Sequence, residues 1–140
     1  MRIATITNWA YGATVCLTIA SGIIMLLASG ADTAERQAML DRLVESELIT
    51  PEIAADVDDH IQEIVEAMHK MLLRSPSVLL QAALVDGVGE TRSQNQPGTS
   101  SEYCNWRVPL AGPDHKVVHT DEVFDLPRVK SLSAIMNGEK

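Results

Sequence analysis

Val78-Leu79-Leu80-Gln81-Ala82-Ala83-Leu84-Val85 follows Arg74-Ser75-Pro76-Ser77 and precedes Asp86-Gly87-Val88-Gly89-Glu90, and the fold turns on how this stretch is read. At this length, periodicity alone does not separate a buried strand from a helical segment. Its shortness and the turn residues on both sides favour a strand of the parallel, doubly covered kind. Asp86 would then stand at the C-terminal end of that strand, where barrel folds gather binding and catalytic groups.

Working outward, the N-terminal side reads as helix. Met39, Leu40, Leu43, Val44 and Leu48 recur at helical spacing over residues 34–48. Thr50-Pro51-Glu52 is a start signal: a capping hydroxyl, a proline suited to the first turn, and a carboxylate at the positive end of the dipole. A second helix is predicted from there to about Leu73, with Ile53, Val57, Ile61, Ile64, Val65, Met68 and Leu72 on one stripe. Met68 and Met71 read as core filler. On the other side, residues 126–136 form a last helix, with Pro127 near its start and Asn137-Gly138 at its end. The fold class expected of the chain by itself is therefore mainly α with one short β segment.

Between the strand and the last helix lies a polar loop over residues 87–107. Gly87-Val88-Gly89 begins like a dinucleotide fingerprint, but Arg92 occupies the third glycine position and excludes it. Pro97-Gly98 predicts a defined turn, and Trp106 is expected to anchor the loop by burying its ring.

Residues 3–31 carry no charge, and residues 10–29 are almost wholly apolar or small. Twenty such residues in a helix would span about 30 Å, so 10–29 is a candidate for membrane insertion, with Trp9 and Tyr11 at its edge. A signal peptide and a buried element of a soluble protein are the rival readings. The chain divides by composition into this segment, 1–31, and the region 32–140. The formal charge of −8 falls entirely between Asp32 and Leu72, on eleven acidic residues against Arg36, Arg42 and Lys70. An acidic chain without basic clusters repels phosphate backbones, so no nucleic-acid partner is expected.

Few residues suggest a reactive centre. Asp86 and Glu90 resemble a carboxylate pair, but hydrogen bonding to loop amides suits them better. His60 and His69, nine apart, fall on opposite helix faces and share no metal. His115 and His119 have no third ligand, and Cys16 and Cys104 form no framework. Neither metal nor cofactor is expected. Tyr103 and Trp106 are candidates for sugar stacking as well as for loop anchoring.

The order of helix, Arg74-Ser75-Pro76-Ser77, apolar strand, Asp86-Gly87-Val88-Gly89-Glu90, Asn95-x-Pro97-Gly98-Thr99 and Tyr103-x-Asn105-Trp106 resembles the C-terminal part of amylomaltases. These are the 4-alpha-glucanotransferases of glycoside hydrolase family 77. The tail from Arg107 and the closing helix are most like actinobacterial members. The resemblance covers residues 32–140 and leaves the first 30 or so unmatched.

The resemblance implies the last β/α portion of a (β/α)8 barrel and a cytoplasmic enzyme of glycogen or maltodextrin metabolism. Its substrate would be an α-1,4-glucan or maltooligosaccharide, from which a segment passes to the 4-hydroxyl of an acceptor. Retaining chemistry of this kind needs two carboxyl groups about 5–5.5 Å apart. In the family both precede the region represented here, so no catalytic residue is carried over and the chain alone is expected to be inactive. Ile3-Ala4-Thr5-Ile6-Thr7 echoes a Thr-rich family strand, but Asn8-Trp9 stands where His-Asp should follow. One substrate-binding residue carries over: Asn95 matches the loop asparagine that faces the donor sugar. Cys104 in place of a proline and Ser101 in place of an acidic residue are departures from the family pattern. The alternative function is a small membrane-anchored helical interaction protein.

Overall fold

The computed structural model describes residues 33–138. The apolar block, its membrane reading at 10–29 and Cys16 lie outside the described residues. None of the described helices is long and apolar enough to cross a membrane.

Five α-helices are described: α1 (Thr33–Glu45), α2 (Pro51–Ala55), α3 (Ile61–Leu73), α4 (Leu84–Val88) and α5 (Pro127–Met136), the last preceded by a 3-10 turn at Val123–Asp125. The start signal works as read, with the Thr50 hydroxyl accepting from the Ile53 backbone N–H at 3.5 Å and Pro51 opening α2. The single helix predicted from there to Leu73 is instead two. Asp56, Asp58 and Asp59 cluster at the break, and short acidic side chains compete for nearby backbone groups and disfavour helix interiors. Asp56 leaves helical geometry at φ −125° and ψ 73°. Val57 stays buried at the break and plugs the core.

The core is the predicted stripe folded onto α1. Leu40, Leu43, Ile49, Val57, Ile64, Val65, Ala67 and Met68 form one buried cluster, bordered by Met39, Leu48, Ile53, Ile61 and Met71. Leu43 and Ile64 are wholly buried, each stabilising the fold by about 1.5–3 kcal/mol relative to exposure. The Arg74 guanidinium donates to the Ser46 carbonyl at 2.9 Å and ties the end of α3 back to α1. Helix α5 lies against α3 and α4, where the Ser131 hydroxyl donates to the Glu66 carboxylate at 2.7 Å.

The strand expected at 78–85 is not formed. Residues 78–83 are non-helical, Val78 is fully exposed and Leu79 is 75% exposed, while Leu84 begins α4. A strand needs neighbours for its backbone hydrogen bonds, and no described segment pairs with this one. Helix α4 satisfies its groups locally instead, with Gly87 N–H donating to the Ala83 carbonyl at 3.3 Å. Asp86 consequently sits inside a helix rather than at a strand end. The β pairing among the described residues is one antiparallel bridge between Ala111 and Val117.

Candidate functional site

Helix α4 ends at Gly89, whose left-handed φ of 82° turns the chain into the polar loop. Glu90 closes the loop at its base. One carboxylate oxygen accepts from the Arg92 backbone N–H and Nε, each at 2.9 Å. The other accepts from Arg92 Nη2 at 2.6 Å and from the Ala111 N–H at 2.9 Å. Arg92 Nη2 also donates to the Pro109 carbonyl at 2.7 Å, so one ion pair joins both ends of the loop. Burial would push the Glu90 carboxyl up, but Arg92 and the Ala111 N–H more than offset this and hold it below the usual carboxylate range. Hydrogen bonding to loop amides is thus the role of Glu90, as its sequence suggested.

Asn105 holds the tip. Its amide oxygen accepts from the Gln96 N–H at 2.7 Å, and its amide nitrogen donates to the Thr99 carbonyl at 3.1 Å and hydroxyl at 2.9 Å. Between those partners Pro97-Gly98 makes a tight turn, closed by Thr99 N–H donating to the Gln96 carbonyl at 3.2 Å. Gly98 there has φ 85°, as a type II turn requires. Two further bonds zip the arms together: the Tyr103 hydroxyl donates to the Ser93 carbonyl, and the Trp106 N–H donates to the Gln94 carbonyl at 2.7 Å.

Asn95 lies in the arm so fixed. Its carbonyl accepts from the Ser93 hydroxyl at 2.6 Å, while its half-buried side-chain amide makes no hydrogen bond among the described residues. Trp106 does not anchor the loop. It is 76% exposed at φ 59°, and the anchoring contact comes from Tyr103 instead. The Trp106 ring is therefore open to solvent, one backbone hydrogen bond from Gln94.

The other candidates are dispersed. Asp86 is buried with its carboxylate 4.0 Å from His69 Nε2, and His69 donates through Nδ1 to the Val65 carbonyl at 2.8 Å. This places Asp86 and His69 in the α3–α4 packing, away from the loop tip. His60, at the start of α3, pairs with Glu63 at 2.7 Å and is raised above the ordinary imidazole value by that bond. It is more exposed than His69, and at φ −116° and ψ 19° it caps α3 rather than belonging to it, so helical spacing does not relate the two. His115 and His119 are exposed, as is Cys104, and the described His, Cys, Asp and Glu residues form no cluster of three suited to a metal.

Sequence reasoning missed two parts of this site. Arg92 enters the sequence only as a misfit to a glycine motif, and Asn105, whose place beside Trp106 suggests a tie from the loop to a barrel, instead clamps the loop to itself through Gln96 and Thr99. Both carry fixed spacings, Glu-x-Arg and Asn-x-Pro-Gly-Thr-x5-Asn, whose sense appears only once the loop is closed.

Comparison with known proteins agrees with the loop motifs. Residues 3–114 match the family described as 4-alpha-glucanotransferase, glycoside hydrolase family 77. Over 81 residues the chain is 44% identical to the 4-alpha-glucanotransferases of Mycobacterium bovis and Mycobacterium tuberculosis H37Rv. That alignment takes in 58% of this chain and 11% of each relative, so the chain spans about a tenth of their length in matched sequence. No solved structure matches. The family match starts at residue 3 and crosses the compositional division at residue 31. The chain belongs to glycoside hydrolase family 77, the 4-alpha-glucanotransferases.

Proposed function

We propose that this chain supplies the donor-sugar loop of an α-1,4-glucan transferase, with Asn95 as its hydrogen-bonding contact and Trp106 as an adjoining stacking face. The observation that carries the reading is the contrast within the loop. Ser93, Gln94 and Gln96 are pinned through backbone groups, yet the Asn95 amide among them is unengaged by described residues. An amide both donates and accepts, as does each sugar hydroxyl, and a fixed backbone lets it bind without first being ordered. An exposed indole offers the apolar ring that carbohydrate C–H faces pack against.

Glu90 has its acceptors committed to Arg92 and Ala111, and Asp86 faces His69 within the helical packing. Neither suits proton transfer to a glycosidic oxygen, which needs reach to the reacting atoms. The chain contributes substrate contacts rather than the reacting carboxylates. In the assembled enzyme, residues 78–85 would be a barrel strand, a role supported by their apolar composition and the exposure of Val78 and Leu79. The apolar block at 1–31 would belong to the same domain as 32–140, which the family match from residue 3 favours over a membrane anchor. Maltooligosaccharides in the cytoplasm are the expected substrates.

The test is titration of the intact chain with maltotriose, following the Asn95 side-chain amide and the Trp106 indole N–H by NMR. Saturable changes in both are expected, together with no glucose release above blank. Turnover by the chain alone would contradict the assignment of its role, and silence at both probes would remove the loop from sugar binding.

A further inference from the structure

A cavity of about 220 Å3, lined by polar and apolar residues together, lies at the root of the loop. Asp58, Asp59 and Gln62 line it from the α2–α3 junction, Gly89 and Thr91 from the root of the loop, and Arg128 from the first turn of α5. Arg128 makes no hydrogen bond or ion pair among the described residues, and its Nε is buried without a partner. Burial pushes its guanidinium below the ordinary value, against the opposing pull of Glu66. Glu66 is itself engaged, accepting from Gln62 and Ser131 at 2.9 and 2.7 Å.

Gly89 makes room for this arrangement. A methyl group there would stand 2.8 Å from Arg128 Nη1 and 3.2 Å from Pro113 Cδ, on a backbone at φ 82° that side chains rarely adopt. The Arg128 side chain thus lies over a bare stretch of backbone and borders the cavity, and the exposed residues Asp58 and Asp59 line the same space.

The charges restrict what fits. Two carboxylates oppose an anion, and a half-buried guanidinium opposes a cation. A neutral group that donates to the carboxylates and accepts from the guanidinium satisfies both, and a row of hydroxyls does so at every position. The volume is below the roughly 300–1,000 Å3 of drug-sized sites, which suits one ring rather than a chain. We propose that this cavity is a second saccharide site, separate from the Asn95 loop, that takes a single neutral, hydroxyl-rich ring. The choice of a glucosyl unit as that ring rests on the glucan reading above; the exclusion of ions does not.

The intact chain, titrated with maltotriose, sodium sulfate and calcium chloride in turn, tests this through the Arg128 Nε–Hε and Thr91 amide signals. Maltotriose is expected to move both saturably, with affinity unchanged by Asn95→Ala. Arg128→Gln and Asp59→Asn should each weaken it by about tenfold, as the loss of a charged hydrogen-bonding partner does. Thr91→Val serves as a third variant should Arg128→Gln lower the melting temperature. A larger response to sulfate or calcium than to maltotriose would overturn the site as an ion site, and no response to any of the three would overturn it as a water-filled gap. Response at Asn95 without response at Arg128 sinks this proposal alone, whereas the reverse leaves it standing and sinks the loop.

Discussion

The helical core over residues 33–73 and the loop over residues 89–118 are held by different forces. In the core, Leu40, Leu43, Ile64, Val65 and Met68 bury their side chains together, and hydrogen bonding is mostly the internal ladder of the helices. In the loop, large apolar side chains such as Trp106 and Val117 are exposed, and order comes from Glu90, Arg92, Tyr103 and Asn105 gripping specific backbone groups. Apolar burial is non-directional and tolerates variation in shape, whereas a polar clamp works only with its donors and acceptors in register. The first is suited to a scaffold and the second to placing one amide.

The largest effect that separates the two should come from Leu43→Ala or Ile64→Ala. Each empties a fully buried position and should cost about 2–5 kcal/mol in denaturant unfolding, with protection lost across the whole chain. Asn105→Ala strips three hydrogen bonds from the loop and should cost about 1–3 kcal/mol. Its loss of amide protection should stay within residues 93–107. Loss of protection across α1 and α3 as well would show that the two regions are one cooperative unit.

The contrast also explains what the sequence made legible. Helical spacing located α1, α3 and α5 and named most of the buried residues of α1 and α3, because burial on a helix repeats every three or four positions. It failed at Asp56–Asp59, where local acidic side chains override an unbroken apolar stripe. It failed again at 78–85, where the same residues are strand or coil according to whether neighbours pair with them. The loop was legible only as a motif. Pro97-Gly98 gave its turn and Asn95 its candidate role, but the burial expected of Trp106 was wrong because the Tyr103 hydroxyl supplies the anchor.

A smaller effect lies in acid. The folded Glu90 carboxyl is held below its ordinary value, so its contribution is fully present above the unfolded value near pH 4.3. It is lost as pH falls through the lowered folded value. Melting curves below about pH 4.3 should therefore show the loop signals failing before the core signals, and Glu90→Gln should remove that difference. Simultaneous failure in the native chain would assign the acid sensitivity elsewhere. The smallest effect is expected at Val78→Ser and Leu79→Ser. Both side chains are exposed, so stability should change by no more than about 0.5 kcal/mol, and amides over residues 78–83 should exchange quickly. Strong protection there would mean that the segment has found a partner.

The most direct test joins this segment to the remaining length of a mycobacterial relative and compares Asn95→Ala with Asn105→Ala in transfer from maltotriose. If the loop presents Asn95 to the donor sugar, Asn95→Ala should lower kcat/KM by roughly ten- to a hundredfold, the cost of leaving a sugar hydroxyl unpaired in its site, with the melting temperature unchanged. Asn105→Ala should lower the melting temperature first. Transfer that is unaffected by Asn95→Ala would contradict the account.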